Sequence, residues 1–281
     1  MDLNGKTLVL TGANGGLGQA IARELAAAGA RLVLIGIGQV VLDDLARELG
    51  NGKSHHCPMD LDLSREQGID ELVQFCEELP NGIDGLINSA GLNRFAIAED
   101  HDYQATSRLF MVNLVAPVML SARLLPLLKT RKEALIVNIG SVLGAIGNPG
   151  YSAYCASKSG LARFSETLRR ELADSPVKVL HFNPRVVRTG MNSAAVNSLN
   201  EKLGNKSDAP EQVASLLIRQ LQEDRFGEYC VGWPEKLFVK INALFPGLVD
   251  RNFSKNLKLI KTAAREESEF IQARAVEKPA N

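Results

Sequence analysis

Tyr154 and Lys158 are the residues whose types and spacing point most directly to chemistry. Side chains at positions i and i+4 of a helix lie one turn apart on the same face. An unperturbed tyrosine ionises near pH ~10, and a neighbouring ammonium group stabilises the phenolate and lowers that pKa. We therefore predict that Lys158 makes the Tyr154 phenol acidic enough to exchange a proton with an alcohol or carbonyl oxygen near neutral pH.

Ser141 and Asn113 are two further polar residues with candidate roles. Ser141 ends the apolar run at 134–140, where it would either hydrogen-bond a substrate oxygen or simply cap a strand. Asn113 lies inside an apolar helical segment, although asparagine is a poor helix former. Pro117 lacks the N–H that the Asn113 carbonyl would normally accept. We expect that carbonyl to hold a water that relays protons to Lys158; the alternative is a satisfied, buried asparagine at a simple kink.

A glycine-rich loop near the N-terminus separates a strand pattern at 6–11 from a helical pattern at 16–28. Glycines let backbone approach a pyrophosphate closely, and a helix N-terminus offers free N–H groups and a positive dipole end. Strand, glycine turn and helix form the context in which such a loop binds a dinucleotide, the alternative being a structural turn. The predicted cofactor contacts in this loop are Gly12, Asn14, Gly16, Leu17 and Gly18.

Strand and helix patterns alternate along the chain. Apolar runs lie at 6–11, 31–35, 84–88, 134–140, 177–182 and 228–231, with a weaker one at 53–57. Helical patterns lie at 16–28, 39–49, 64–79, 101–128, 151–173 and 210–223. This alternation predicts an α/β fold, a Rossmann-like doubly wound parallel sheet of about seven strands with helices on both faces. Ligands of such sheets bind at the carboxyl ends of the strands.

Together these motifs resemble the short-chain dehydrogenase/reductase family, in its shorter single-domain branch. Residues 11–18 resemble its cofactor loop, residues 88–91 its Asn-Asn-Ala-Gly element, and residues 183–189 its Pro-Gly-x-x-x-Thr segment. The resemblance extends from residue 7 to about residue 191. Four residues match the family's catalytic residues in order and approximate spacing: Asn113, Ser141, Tyr154 and Lys158.

The resemblance implies an NAD(P)-dependent oxidoreductase in which hydride passes between nicotinamide and a carbonyl compound or secondary alcohol, with Tyr154 as general acid or base. It also implies a homodimer or homotetramer. The adenosine half of the cofactor is expected to contact Asp60, Leu61, Asn88, Ala90 and Gly91. The nicotinamide half is expected to contact Tyr154, Lys158, Pro184, Val187 and Thr189. The alternative for Asp60 is a charge at a helix N-terminus.

Three positions depart from the family pattern. At 36–37, where an acidic residue would favour NAD and a nearby arginine NADP, the chain has Gly-Ile. Without a carboxylate to repel a phosphate, NADP(H) is weakly preferred and NAD(H) stays open. Ser89 replaces the second asparagine of its element. Arg185 replaces the glycine after Pro184; it would reshape the substrate pocket, attract an acidic substrate or, as we expect, point to solvent.

The composition limits the function classes. The chain has 281 residues, 45% hydrophobic, and a formal net charge of zero, which suits one large core and gives no reason to expect nucleic-acid binding. The four cysteines are scattered, which predicts no metal site and a reducing compartment. No signal peptide pattern is visible, and the uncharged stretch at 109–122 is too short to span a membrane. These features favour a cytoplasmic protein.

Two segments fall outside this pattern. Residues 190–209 are polar and interrupted, which predicts a loop acting as a lid or as a plain surface connection. A dinucleotide-binding catalytic domain at 1–234 is followed by an extension at 235–281, in which apolar residues recur at helical spacing. Residues 235–265 contain seven Lys/Arg against two Asp/Glu.

We predict an amphipathic helical extension that packs on the core, on an oligomer partner or on an anionic membrane surface. Membrane contact would suit a lipid-like carbonyl substrate and would make the cytoplasmic protein peripheral to a membrane. Two alternatives to the enzyme stay open: a catalytically silent dinucleotide-binding regulator or scaffold, and a peripheral membrane module.

Overall fold

A computed structural model describes residues 1–50 and 56–277 of the chain. Seven parallel strands form one sheet in the order β3-β2-β1-β4-β5-β6-β7. The strands are β1 Thr7–Thr11, β2 Arg31–Gly36, β3 Cys57–Asp60, β4 Gly85–Asn88, β5 Ala134–Ile139, β6 Val177–Asn183 and β7 Gly227–Cys230. The predicted doubly wound α/β fold is confirmed. Of the weak strand predicted at 53–57, residues 53–55 lie outside the described residues.

Helices cover both faces of the sheet. They are α1 Gly16–Ala27, α2 Gln39–Gly50, α3 Glu66–Glu78, α4 Tyr103–Phe110, α5 Ala116–Lys129, α6 Ser152–Glu171, α7 Ala194–Lys202, α8 Pro210–Gln222, α9 Glu235–Leu244 and α10 Pro246–Glu277. Leu8 and Leu10 of β1 pack in a core with α1, α2 and α8, while Val9 faces a second core with α3, α5 and α6. Because both faces are buried, the central strands are continuous apolar runs.

The strand order reverses between β1 and β4, which places a crevice at the carboxyl edge of the sheet. The loops after these two strands are joined there: Thr11 Oγ1 accepts hydrogen bonds from the backbone N–H groups of Ser89 and Ala90, both at 3.0 Å. Ser89 thus contributes backbone to this junction.

The helix containing Asn113 changes its hydrogen-bonding pattern where the sequence predicts a break. Met111–Val115 form a π-helical turn between α4 and α5, and the Ala116 N–H donates to the Met111 carbonyl. Asn113 is fully buried. By length and composition the segment Tyr103–Lys129 is apolar enough to cross a membrane, although part of it is buried inside the protein.

The predicted loop at 190–209 contains a helix. Ser193 Oγ accepts a hydrogen bond from the Val196 N–H at 3.2 Å and caps α7. Val196 and Leu199 are buried against Ile260 of α10 in a third apolar cluster. The short, polar α7 is therefore stabilised by a helix about sixty residues away, which local sequence patterns do not reveal.

Candidate active site

A cleft of about 830 Å³ opens at the carboxyl edge of the sheet. Loops that follow β1, β3, β4, β5 and β6 all contribute to its walls. The predicted residues that line it are Gly12, Asn14, Gly16, Leu17, Gly18, Leu61, Ala90, Gly91, Ser141, Tyr154, Lys158, Pro184, Val187 and Thr189. The fold thus brings residues that are nearly 180 positions apart in the sequence into one cavity.

Three predicted site residues, Asp60, Asn88 and Asn113, do not line the cleft. The Asp60 carboxylate accepts a hydrogen bond from the Gln39 N–H at 3.1 Å, at the start of α2. This contact favours the helix-terminus role for Asp60, and Asp62 lines the cleft instead. The buried Asn88 amide donates to Asn138 Oδ1 at 2.8 Å.

Asn113, the third of these residues, fixes the loop after β4. Its side chain accepts from the Leu92 N–H at 2.7 Å, donates to the Leu92 carbonyl at 2.9 Å, and donates to Ser157 Oγ at 3.1 Å. A Cβ placed on Gly91 would lie 3.5 Å from Asn113 Oδ1 and 3.7 Å from Lys158 Nζ. Asn113 and Lys158 therefore flank the same point of the loop. The side chain is satisfied without a water, while the proposed role of its backbone carbonyl stays a prediction.

The glycine loop fits an anionic ligand such as a pyrophosphate. Helix α1 begins at Gly16 with no side-chain cap and no acidic residue in its first turn, and this end lines the cleft. Gly12 has φ +69, and a Cβ there would come within 2.7 Å of the Ala90 backbone. A Cβ on Gly18 would lie 2.0 Å from the Gly12 carbonyl oxygen. The first N–H groups of a helix have no acceptor within the helix, so this uncapped end suits a phosphate.

Ser141, Tyr154 and Lys158 meet at the deep end of the cleft. Ser141 follows β5, and its Oγ accepts from the Leu143 N–H at 3.1 Å. Lys158 Nζ donates to the Ile139 carbonyl at 2.9 Å and lies 5.9 Å from the centre of the Tyr154 ring. Strand β5 and helix α6 thus hold a hydroxyl, a phenol and an amine side by side.

Burial controls the ionisation of the phenol and the amine. Desolvation raises the pKa of Tyr154 to about 12, although a hydrogen bond with Ser141 acts in the opposite direction. Desolvation also lowers the pKa of Lys158 to about 8. The prediction that Lys158 lowers the pKa of Tyr154 is wrong for the protein alone. The amine is bound to a backbone carbonyl, and desolvation of the phenol is the dominant effect on the Tyr154 pKa.

The sequence predicts that Arg185 points to solvent, and this prediction is wrong. Its guanidinium makes two hydrogen bonds to the Asp208 carboxylate, at 2.8 and 2.6 Å, and one to Glu235 at 3.3 Å. These carboxylates raise the pKa of Arg185 above its usual value. With two carboxylates against one guanidinium, this wall offers no excess positive charge to an acidic substrate.

Several cleft residues were not predicted from the sequence. Tyr151, one turn before Tyr154 on the α6 end, lines the cleft, and the two ring centres lie 6.2 Å apart. Because residues three apart lie on the same side of a helix, the spacing of Tyr151 from Tyr154 could have identified Tyr151 as a cleft residue. Arg108 and Glu235 also line the cleft. Arg108 lies five residues before Asn113, and Glu235 begins the extension, but no local sequence pattern identifies either as a cleft residue.

Comparison with known proteins agrees with this geometry. Residues 6–200 match the protein family described as short chain dehydrogenase. The nodulation protein G of Rhizobium sp. (strain N33) is 36% identical over 204 residues, which cover 72% of this chain and 79% of that protein.

Two solved structures share the fold. A short chain dehydrogenase/reductase from Burkholderia phymatum, in complex with NAD, superimposes with a TM-score of 0.79 at 22% identity, covering 88% of this chain and 96% of the other. A short-chain dehydrogenase from Sphingobium yanoikuyae, in complex with NADPH, gives a TM-score of 0.74 at 24% identity, covering 87% and 95%.

Proposed function

The chain belongs to the short-chain dehydrogenase/reductase family, and we propose that it is an NAD(P)-dependent oxidoreductase acting on a carbonyl compound or a secondary alcohol. The observation that carries this proposal is the meeting of Ser141, Tyr154 and Lys158 in the cleft that also contains the glycine loop. A bound nicotinamide cofactor would supply or accept the hydride. The remaining chemistry, a proton transfer to or from the substrate oxygen, falls to the protein.

Tyr154 is the proposed proton donor in carbonyl reduction. Because its pKa is raised to about 12, the phenol is protonated at neutral pH and ready to donate. Ser141 is placed to hydrogen-bond the substrate oxygen and hold it near the phenol. In the reverse direction the phenolate must accept a proton, so we expect alcohol oxidation to accelerate with rising pH.

Lys158 is the proposed source of the replacement proton. Its pKa of about 8 lets the amine gain and lose a proton close to neutral pH. Asn113 lies on the same side of the loop at Gly91. We propose that its backbone carbonyl, at the π-helical turn, holds the water that links Lys158 to solvent.

Residues at the end of β2 support a weak preference for NADP(H). A Cβ on Gly36 would lie 2.3 Å from Asn14 Oδ1, and Asn14 Nδ2 donates to the Ile37 carbonyl at 2.9 Å. An acidic side chain at 36 would therefore clash with Asn14. A 2′-phosphate meets no carboxylate at this position, while the cofactor seen in similar folds is NAD in one and NADPH in another.

Cofactor titration followed by a substrate panel tests the proposal. We expect quenching or enhancement of NADPH fluorescence at lower protein concentration than for NADH, and turnover of at least one ketone or aldehyde. Ser141→Ala should lower kcat about 100-fold and leave cofactor affinity unchanged. Binding of both cofactors without turnover across a broad panel would favour the catalytically silent regulator.

We also propose that the enzyme is cytoplasmic and forms a homodimer or homotetramer. Tyr103 on α4 and Met119 on α5 are exposed large apolar side chains and support this assembly as candidate contacts between subunits. Sedimentation velocity of the purified protein measures the assembly state directly, and a monomer at micromolar concentration would contradict this part.

A further inference from the structure

Exposed apolar side chains are concentrated at the start of the C-terminal extension. Six of the fifteen exposed large hydrophobic residues in the described chain fall within 233–248. We refer to these six as the α9 surface: Trp233, Leu237, Phe238, Leu244, Phe245 and Leu248. A cluster of this density on a protein surface marks an interaction site more often than scattered single residues do.

Helix α9 presents this surface away from the protein body. Glu235, Val239 and Asn242 recur at helical spacing and are partly buried, with Asn242 Nδ2 donating to the Ala145 carbonyl at 3.1 Å. Leu237 and Leu244 are seven residues apart on the opposite face and are 41% and 71% exposed, and Phe238 and Phe245 lie along the edge between the two faces at 50% and 61%. The helix is held by one side and offers its aromatic residues to an external partner.

Basic residues are concentrated in α9 and α10. The basic residues of this region are Lys236, Lys240, Arg251, Lys255, Lys258, Lys261 and Arg265, all exposed. Of these, within the part of the chain that the structure describes, only Arg265 forms an ion pair, with Glu99. Glu235, one of the two acidic residues here, is occupied by Arg185. Lys236 Nζ lies 4.5 Å from the centre of the Tyr229 ring, and the exposed cations of this region outnumber its carboxylates, which favours an anionic partner.

We propose that the α9 surface docks on an anionic phospholipid membrane. Aromatic and aliphatic side chains flanked by exposed lysines suit the boundary between headgroups and acyl chains, where the lysine stems extend towards the phosphates. A second copy of this chain fits less well. A two-fold contact through this surface would bring Lys236 and Lys240 against the same cations of the partner, and like charges repel.

Docking would place the membrane beside the substrate end of the cleft. Glu235, the first residue of α9, lines the cleft, and Asn242 contacts the loop that contains the lining residues Val142 and Leu143. A lipid-like carbonyl compound dissolved in the bilayer would then enter close to Tyr154. This consequence rests on the proposed oxidoreductase function, whereas the docking itself does not.

Vesicle flotation of the full-length chain tests the docking. We expect wild type to float with vesicles that contain phosphatidylglycerol, to remain behind with pure phosphatidylcholine vesicles, and to be released by high salt. The double variant Phe238→Ser with Phe245→Ser should bind anionic vesicles at least about tenfold more weakly. The control is Val40→Ser, which removes an apolar residue that is 73% exposed on α2; it should float like wild type.

A second pair of variants separates charge from apolar contact. Lys236→Gln with Lys240→Gln should weaken binding to anionic vesicles about tenfold, and Lys129→Gln with Lys132→Gln, which alters exposed lysines elsewhere, should not. Sedimentation velocity accompanies every variant. Failure of wild type to float, equal loss in the controls, or a change of assembly state caused by the two phenylalanine substitutions would overturn the proposal, the last by assigning the surface to a second copy.

Turnover provides a readout that distinguishes docking from catalysis. The phenylalanine double variant should reduce a water-soluble ketone as fast as wild type and should lose activity towards a long-chain ketone embedded in anionic vesicles. Unchanged activity on the embedded ketone despite lost flotation would overturn substrate delivery from the membrane. Inactive wild type that still floats would contradict the proposed enzyme and leave the docking supported.

Discussion

The half of the cleft around the glycine loop is built from closely packed backbone, whereas the half around Arg185 is built from side chains distant in sequence. Gly12, Gly18 and Ala90 approach each other so closely that no side chain fits between them. Arg185 instead reaches Asp208, 23 residues away, and Glu235, 50 residues away. The first half depends on glycine at particular positions, whereas the second depends on charge pairs between side chains.

The strongest expected contrast is within the glycine loop. Gly18→Ala places a Cβ 2.0 Å from the Gly12 carbonyl oxygen, so the start of α1 must move. We expect cofactor affinity to fall about 100-fold, equivalent to about 3 kcal/mol. Gly15→Ala is the matched control, because its Cβ would meet Gly12 at an ordinary 3.4 Å. Fluorescence titration measures both, and equal affinities of the two variants would contradict backbone-controlled packing.

Loss of the ion pairs around Arg185 should weaken cofactor binding less than the change at Gly18 does. Arg185→Met leaves Asp208 and Glu235 without their partner, and we expect the cofactor KM to rise about tenfold with little change in kcat. Arg185→Lys should recover part of the loss. Arg188→Met, which alters an exposed arginine of the same segment, serves as control. A fall in kcat alone, or an equal effect of the control, would contradict the idea that Arg185 and its carboxylate partners help to position the cofactor.

The buried His181 of β6 gives a pH test of stability. Burial lowers the pKa of His181 to about 4 from 6.5. As pH falls from about 6.5 to 4, the unfolded chain binds a proton that the native protein does not, so stability decreases, by up to about 3 kcal/mol. Urea unfolding of wild type and His181→Asn across this range measures the difference. A slope that is the same in both proteins would exclude His181 as its cause.

The contrast between the two halves also explains what the sequence could predict. The glycine loop, Asn88–Gly91 and the Tyr154–Lys158 pair are local patterns, and their placement at the strand ends follows from the parallel fold. The partners of Arg185, the burial of α7 under α10 and the cleft position of Glu235 depend on long-range contacts. The predicted direction of the Tyr154 pKa shift was wrong for the same reason. The spacing identifies Lys158 as a neighbour, but only the packed structure shows how far the phenol is desolvated.

Substitution of the phenol tests the central claim most directly. Tyr154→Phe preserves the ring and its packing and removes only the proton donor. We predict that kcat for ketone reduction falls about 1,000-fold while the dissociation constant for NADPH stays within about twofold of wild type. Turnover that survives this substitution, with cofactor binding intact, would contradict the assignment of Tyr154 as the general acid.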